Sequence, residues 1–532
     1  MADSAARSGD SPASQIASLL LRLPDTPGDP NLFKKLAAER LGLREIPPNT
    51  LIIQELKKLG APSELVYRLR RKPVRARSGV TIITVAVPLF ECPHGRCVYC
   101  PGGGSTGFPQ SYTGREPVVA YARQVGYNVK LQVRAYIERL ERMGHRVDKV
   151  ELIFIGGTYT SADPEHQRGF IKDALEGLHG EGSGTVWEAV SRAEQAYPRV
   201  VGMMVETRPD WCIPSRVDEL VKLGVTRVEL GVQALDDEIY RRIGRGHTVE
   251  DVSKATRILR DRAFKVGYHF MPGLPGSSPA KDLEMYRMMF SDTRFRPDAV
   301  KIYPTMVIPG TPLYELWKRG LYKPYSLEEL VDLLVEMLSI TPPYVRIHRI
   351  RREIPGEVAA DGRYPGNLRE IVEREMMRRG VRCLCVRCRE VGRSLGPDDP
   401  AQLRMMLREL SYETLGGKEV FLSYESGDSS RLAGLLRLRL PHQTAAALLE
   451  DSALVRELHV YGEMVPVGER GAGGWQHRGA GSLLLHRAEE IARESGYGRI
   501  VVISGLGVKE YYARRGYLRH GPYMAKRLAP RA

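Results

Sequence analysis

The chain has 532 residues, 42% of them hydrophobic and 27% charged, with a net charge of +15. No apolar run reaches the ~18 residues needed to cross a bilayer, and no signal-like segment opens the chain. A cytoplasmic protein of three or four domains with no membrane partner is expected. The basic excess points to a polyanionic partner, and two tight cysteine triplets suit metal ligation better than a disulfide framework.

Residues 1–28, rich in Ser, Ala, Asp, Gly and Pro, read as disordered apart from a helical turn near 16–23. Apolar residues at helical spacing between 31 and 70 predict two or three short helices. Arg68, Arg70, Arg71, Lys72, Arg75 and Arg77 then follow without an intervening acid, beside Tyr67. Such a run is either a solvated face or a grip on nucleic-acid phosphates with a stacking aromatic. This N-terminal region is expected to end at 79.

The middle third alternates strands and helices. Strands are expected at 80–87, 149–155, 200–206, 227–232, 265–270 and 299–303. They make an α/β barrel or part-barrel of parallel strands over 80–340, with the chemical groups placed just after strands. The first strand leads into Cys92-Pro93-His94-Gly95-Arg96-Cys97-Val98-Tyr99-Cys100. Three thiols are one short of the four that close a zinc site or an ordinary 4Fe-4S cluster, and Cys212 is remote. A cluster held by Cys92, Cys97 and Cys100 keeps one iron open, able to chelate S-adenosylmethionine and pass it the electron that splits its sulfonium. A zinc knuckle borrowing a distant ligand is the alternative. The loop resembles that of the radical SAM superfamily, with four residues instead of three between its first two cysteines. Gly156 and Gly157 follow the second strand, Glu206 ends the third, and Glu229 with Gln233 frames the fourth. These five are the expected S-adenosylmethionine site. Lys265 opens the fifth strand and Lys301 lies in the sixth, both as candidate catalytic groups.

From 341 to 400 the periodicity breaks, in a linker carrying Cys383, Cys385 and Cys388. Their spacing suits zinc with a fourth ligand from outside the triplet. His348 is a candidate on residue type alone, and free thiols are the alternative. Residues 401–532 change character again, with strands expected at 419–424, 435–440 and 457–465. Then come Gln476, His477, Arg478, Gly479, Ala480 and Gly481, and a helix over 482–495. Consecutive amides opening onto a helix N-terminus suit a pyrophosphate. A further strand at 500–504 precedes Tyr511, Tyr512 and Tyr517, phenols suited to protonating a departing thiolate. The set points to acetyl-CoA in a GNAT-type acetyltransferase domain, and Lys149 is counted with that site.

With these residues, and with 72–75, 110–114, 206–209, 245–248, 301–304 and 521–524, the chain from about 72 to 524 resembles the catalytic subunit of Elongator in its stand-alone archaeal or bacterial form. The resemblance implies an enzyme that installs an acetyl-CoA-derived carboxymethyl group at C5 of the wobble uridine of tRNA. It implies a 4Fe-4S cluster, S-adenosylmethionine, zinc and an external electron donor, and leaves room for a homodimer. Lys265 and Lys301 would orient the uridine or its phosphate, and Tyr511 and Tyr512 are the favoured pair for thioester cleavage. The rival from another class is a protein lysine acetyltransferase with a structural iron-sulfur barrel.

Overall fold

A computed structural model describes residues 11–22, 30–43, 45–62, 65–66, 69, 80–88, 90–362, 364–391, 404–443, 446–461 and 479–529. Among the described residues, no helix is long and apolar enough to cross a membrane. Three short N-terminal helices, Pro12–Leu21, Pro30–Arg40 and Asn49–Lys58, close a small core around Ile16, Leu20, Ile52, Ile53 and Leu56.

The central unit is a curved sheet of seven parallel strands in sequential order: β1 Val80–Ala86, β2 Lys149–Ile155, β3 Arg199–Thr207, β4 Arg227–Gln233, β5 Lys265–Phe270, β6 Ala299–Ile302 and β7 Arg346–Arg349. Sequential order means that every crossover steps the same way, so the sheet curls into a half-barrel with helices outside. Local chemistry starts those helices. Thr185 with Glu188, Thr248 with Asp251 and Ser326 with Glu329 are reciprocal capping boxes, each satisfying amides that the first helical turn leaves unpaired. Six of the strands match the expected ones within a residue or two. The seventh lies in the stretch expected to be linker, because Arg346-Ile347-His348-Arg349 carries charge where a buried parallel strand is usually apolar.

The second unit is a seven-stranded sheet, order β13-β14-β12-β11-β10-β9-β8, antiparallel except where β11 meets β12. Its strands are β8 Met405–Thr414, β9 Gly417–Ser426, β10 Leu432–Pro441, β11 Ser452–Val460, β12 Arg499–Val502, β13 Leu518–His520 and β14 Tyr523–Arg527, and the helix Ala480–Glu494 packs on β10.

Parallel strands give the half-barrel two unlike ends. The cysteine loop, Gly156 and Gly157 stand at the C-terminal end, whereas the second sheet docks at the N-terminal end. The docking is ionic and buried. Arg456 donates to both oxygens of Asp298 at 2.7 Å and to the carbonyl of Phe264 at 2.8 Å, Arg439 donates to Asp261 at 2.6 Å, and Lys509 reaches Glu194 at 2.7 Å.

Candidate active site

Residues 92–100 form a wrapped loop because Gly95 takes φ 82° and the amides of Gly95 and Cys100 turn back to the carbonyls of Cys92 and Cys97, each at 2.9 Å. All three thiols are buried. The His94 ring lies between two of them, Nδ1 3.1 Å from Cys92 Sγ and Nε2 3.0 Å from Cys97 Sγ. Gln110 donates to Cys100 Sγ at 3.4 Å, Thr158 Oγ1 stands 3.4 Å from Cys92 Sγ, and Arg245 Nη1 stands 3.6 Å from Cys97 Sγ. Burial raises the Cys92 thiol, while Thr158 and the charges of Arg208 and Arg245 draw it down. Burial first, and then the same two guanidiniums, push His94 down to about 3, so it is a neutral partner and not a cation.

Arg245 beside Cys97, with the charge of Arg208 reaching Cys92 although its fork is held by Asp210, fits an anionic, thiolate-held cluster. Gly157 completes the rim: its φ is 115°, and a Cβ there would stand 2.7 Å from Gln110 Cβ, so only glycine lets the backbone close on the loop. Gln233, also at positive φ, points a buried Oε1 that has no donor among the described residues, which suits an amine-bearing cofactor.

Deeper in the half-barrel, inward positions of β3 to β6 gather Glu206, Glu229, His269 and Lys301. The Lys301 ammonium contacts Glu229 and lies 3.4 Å from Glu206; His269 Nε2 is 2.9 Å from Glu229, and the Tyr112 hydroxyl donates to Glu206 at 3.4 Å. Burial works against charge on Glu229, but Lys301 and His269 outweigh it and hold the carboxyl well below its ordinary range. Burial likewise opposes the Lys301 charge, and Glu229, Tyr303 and Glu206 restore it, so this lysine stays protonated. Glu229, expected at the S-adenosylmethionine site, spends its carboxylate on Lys301 and His269.

Lys265 and Lys149 are the first residues of β5 and β2 and therefore stand at the opposite end from the cysteines, which corrects the expectation that each chemical group follows a strand. Lys265 Nζ is 3.4 Å from Glu457 of β11, and Glu457 also receives Arg437 at 2.8 Å. Beyond them lies the turn Gly479–Ala480–Gly481, which opens the helix Ala480–Glu494, with the Tyr511 hydroxyl packed where a Cβ on Gly481 would fall. Arg515 stacks 3.6 Å over the Tyr511 ring, and Tyr512 lies beside it. The Tyr517 ring meets Tyr512 edge-on at 5.8 Å, but Tyr517 does not line the cavity. Its hydroxyl donates to Glu489 at 2.9 Å inside the second sheet's own core, because its ring packs under the helix.

One cavity of about 2130 Å³ is lined from Cys92, Cys97 and Cys100, past Glu206, Glu229 and Lys301, to Lys265, Glu457, Gly481 and Tyr511. A single small-ligand pocket occupies roughly 300–1,000 Å³; this one has room for several ligands end to end. The other triplet is separate. The sulfurs of Cys383, Cys385 and Cys388 lie within 4.8 Å of one another, and no further Cys, His, Asp or Glu ligand joins them among the described residues. His348 is elsewhere, 3.5 Å from Arg227 in the cavity, because alternation along β7 turns it to the face opposite Ile347, whose backbone serves Cys385. Arg68, Arg70, Arg71, Lys72, Arg75, Arg77, Gln476, His477 and Arg478, expected to meet tRNA or acetyl-CoA, lie outside the described residues. His94 within the cysteine loop, and Tyr112, Arg208 and Arg245 within the matched stretches 110–114, 206–209 and 245–248, are not singled out by sequence reasoning, since nothing in their residue type marks their roles.

Residues 87–289 match the radical SAM superfamily and residues 297–378 the radical SAM C-terminal domain. The half-barrel and its three-cysteine loop thus define a radical SAM protein, here joined to a second, mixed sheet. A tRNA uridine(34) acetyltransferase of Methanocaldococcus jannaschii is 44% identical over 519 residues, covering 94% of each chain, and Elongator complex protein 3 of Homo sapiens is 42% identical over 477 residues, covering 87% of each. The solved structure of Methanocaldococcus infernus Elp3 lacking N-terminal residues 1–46 superposes with a TM-score of 0.74 at 41% identity, over 85% of this chain and 100% of that one. The chain belongs to the family of Elongator complex protein 3 and the tRNA uridine(34) acetyltransferases.

Proposed function

We propose that the chain carboxymethylates C5 of the wobble uridine of tRNA in the cytoplasm, with acetyl-CoA as the carbon source and an external electron donor. The observation that carries this reading is the single cavity joining the three-thiol loop to the turn at Gly481 and Tyr511. Cys92, Cys97 and Cys100 hold a 4Fe-4S cluster, Gly156, Gly157 and Gln233 face S-adenosylmethionine, and Cys383, Cys385 and Cys388 hold zinc. When bound, the cluster and S-adenosylmethionine supply a carbon-centred radical able to take a hydrogen atom from an unactivated methyl group.

The chain's own residues supply position and protons. Arg208 and Arg245 favour the thiolate form of the loop. Lys301, kept charged between Glu206 and Glu229, donates a hydrogen bond to a carbonyl of the uracil ring and is no base. At the other end, backbone amides at the start of the helix Ala480–Glu494 receive the pyrophosphate of acetyl-CoA. Burial raises the phenols of Tyr511 and Tyr512, so both stay protonated and donate to the thioester as it opens. Lysine acetylation, the rival, has no use for a cavity that continues through the half-barrel.

The test is anaerobic incubation with tRNA, reductant, S-adenosylmethionine and acetyl-CoA deuterated at its methyl. Carboxymethyluridine in the tRNA and deuterium in 5′-deoxyadenosine are expected. Modified tRNA with unlabelled deoxyadenosine, once solvent exchange is controlled, sinks the methyl route; acetylated lysines with unmodified tRNA favour the rival.

A further inference from the structure

The last residue of β7 and the loop behind it bring Arg349, Arg351 and Arg352 to the end of the half-barrel that carries the cysteines, and all three line the cavity. Arg351 donates to the carbonyls of Tyr364 at 3.0 Å and Ile354 at 2.9 Å. Arg352 donates to the carbonyl of Ser111, whose hydroxyl is 4.0 Å from Cys100 Sγ. Among the described residues, neither guanidinium has a carboxylate within 4.0 Å, whereas Arg349 has Glu353 at 2.9 Å. Main-chain carbonyls fix these side chains without neutralising them. Partly burying a cation that no ion pair neutralises is costly unless an anion arrives, and burial lowers Arg351 accordingly, with the charge of Glu357 offsetting only part of it. Two phenols stand beside them: Tyr112, bonded to Glu206, and Tyr303, whose ring meets His269 edge-on at 5.2 Å.

We infer that Arg351 and Arg352, with Arg349 at the outer side, bind a backbone phosphodiester of the RNA strand next to the reacting base. This rests on the RNA reading above and adds a site to it. A planar guanidinium fork matches a phosphate oxygen pair, and a fixed one loses little entropy on binding. The same oxyanion chemistry occurs in the carboxylate of S-adenosylmethionine. That molecule carries a sulfonium and an ammonium as well, however, so three arginines within four residues repel it overall, while an RNA strand brings one negative charge per nucleotide.

The test measures tRNA affinity against salt for the full chain and the double variant Arg351→Gln/Arg352→Gln, with S-adenosylmethionine binding in parallel. Losing the contact to one phosphate of a single strand makes the log–log salt slope shallower by about 0.7. The double variant gives up that one phosphate and is expected to drop about 0.7 of slope and to keep its S-adenosylmethionine affinity. If that variant fails to fold, the single variants Arg351→Gln and Arg352→Gln carry the test, each expected to make the slope shallower, with the charge-keeping Arg352→Lys as the control at the wild-type slope. Wild-type slopes in the variants that lose a charge overturn the inference, and so does a fall in S-adenosylmethionine affinity with the slope kept. A wild-type chain that does not bind tRNA at all overturns the RNA reading itself.

Discussion

Lys265 Nζ lies 3.4 Å from Glu457 Oε1, across the seam between the half-barrel and the second sheet. A lysine that opens a parallel strand stands at the far end from the residues that follow the strands, so Lys265 faces the second sheet and not the cysteine loop. Lys265→Met leaves Glu457 paired with Arg437 and should cost about 1–3 kcal/mol of stability. The expected functional effect is an acetyl-CoA affinity lower by about tenfold with S-adenosylmethionine binding unchanged, read by titrating each ligand. The reverse pattern would return Lys265 to the cysteine end.

The second seam contact is steric. Gly505, just after β12, approaches β3 so closely that a Cβ there would stand 2.3 Å from the carbonyl oxygen of Val201 and 2.4 Å from its carbonyl carbon. Backbone atoms cannot swing aside as a side-chain tip can. Gly505→Ala should lower stability by about 1–3 kcal/mol or more and loosen the loop that leads to Tyr511. Gly182→Ala, with nothing within 4 Å, is the control, expected within about 0.5 kcal/mol of wild type. Urea midpoints of the two variants decide; equal midpoints would mean the seam yields freely.

These two contacts mark where sequence reasoning stops. Six half-barrel strands were legible because buried parallel strands are continuous apolar and β-branched runs. β7 was not, since Arg346 spends its charge on Glu390 at 2.8 Å and the strand therefore reads as polar. β8 was missed for a related reason: it is an edge strand whose middle residues are exposed, with Arg408, Glu409 and Tyr412 breaking any apolar run. The cysteine loop was legible from residue type and spacing alone. Arg208, just after β3, and Arg245, in the loop after the helix Asp237–Arg242, lie in the matched stretches 206–209 and 245–248, but nothing local tells that they reach the cysteine loop. Nor does a tyrosine's position in sequence tell whether its hydroxyl faces a cavity or a core, as Tyr511 and Tyr517 illustrate.

Acid should open the seam at Asp298. Burial alone would raise this carboxyl, but Arg456 and Arg437 hold it down to about 2, against 3.8 ordinarily. A carboxyl depressed on folding stabilises fully above its unfolded value and loses that contribution as pH falls through the folded one. The window is therefore from about pH 4 down to about pH 2, and at 1.36 kcal/mol per pKa unit the loss is about 2 kcal/mol. Other carboxylates titrate nearby, so the comparison is with Asp298→Asn. That variant is expected to be less stable at pH 7, with Arg456 and Arg437 left short of charge, and to lose less on acidification. Parallel stability curves for the two proteins would mean that Asp298 is not depressed.

The phenols give the sharpest contrast, because two tyrosines six residues apart do different things. Tyr517 donates to Glu489, which also holds Lys526 at 2.8 Å. Removing a buried bond to a charged acceptor costs about 1.5–3 kcal/mol, so Tyr517→Phe should lower the urea midpoint and leave thioester cleavage by the folded protein unchanged. Tyr511 faces the cavity, with its hydroxyl against Gly481 and Arg515 on its ring. Tyr511→Phe removes no bond that holds the core together, and stability should stay within about 0.5 kcal/mol. Loss of a general acid typically slows the step it assists by about 10²–10⁴-fold. Acetyl-CoA cleavage in the presence of tRNA should therefore fall by at least the lower figure while the affinity for acetyl-CoA holds. If Tyr511→Phe weakens binding and rate together, the ring positions the ligand and the proton comes from elsewhere, with Tyr512 next in line because it borders the same cavity. If Tyr517→Phe is the variant that loses cleavage at full stability, the assignment of the two hydroxyls is the wrong way round.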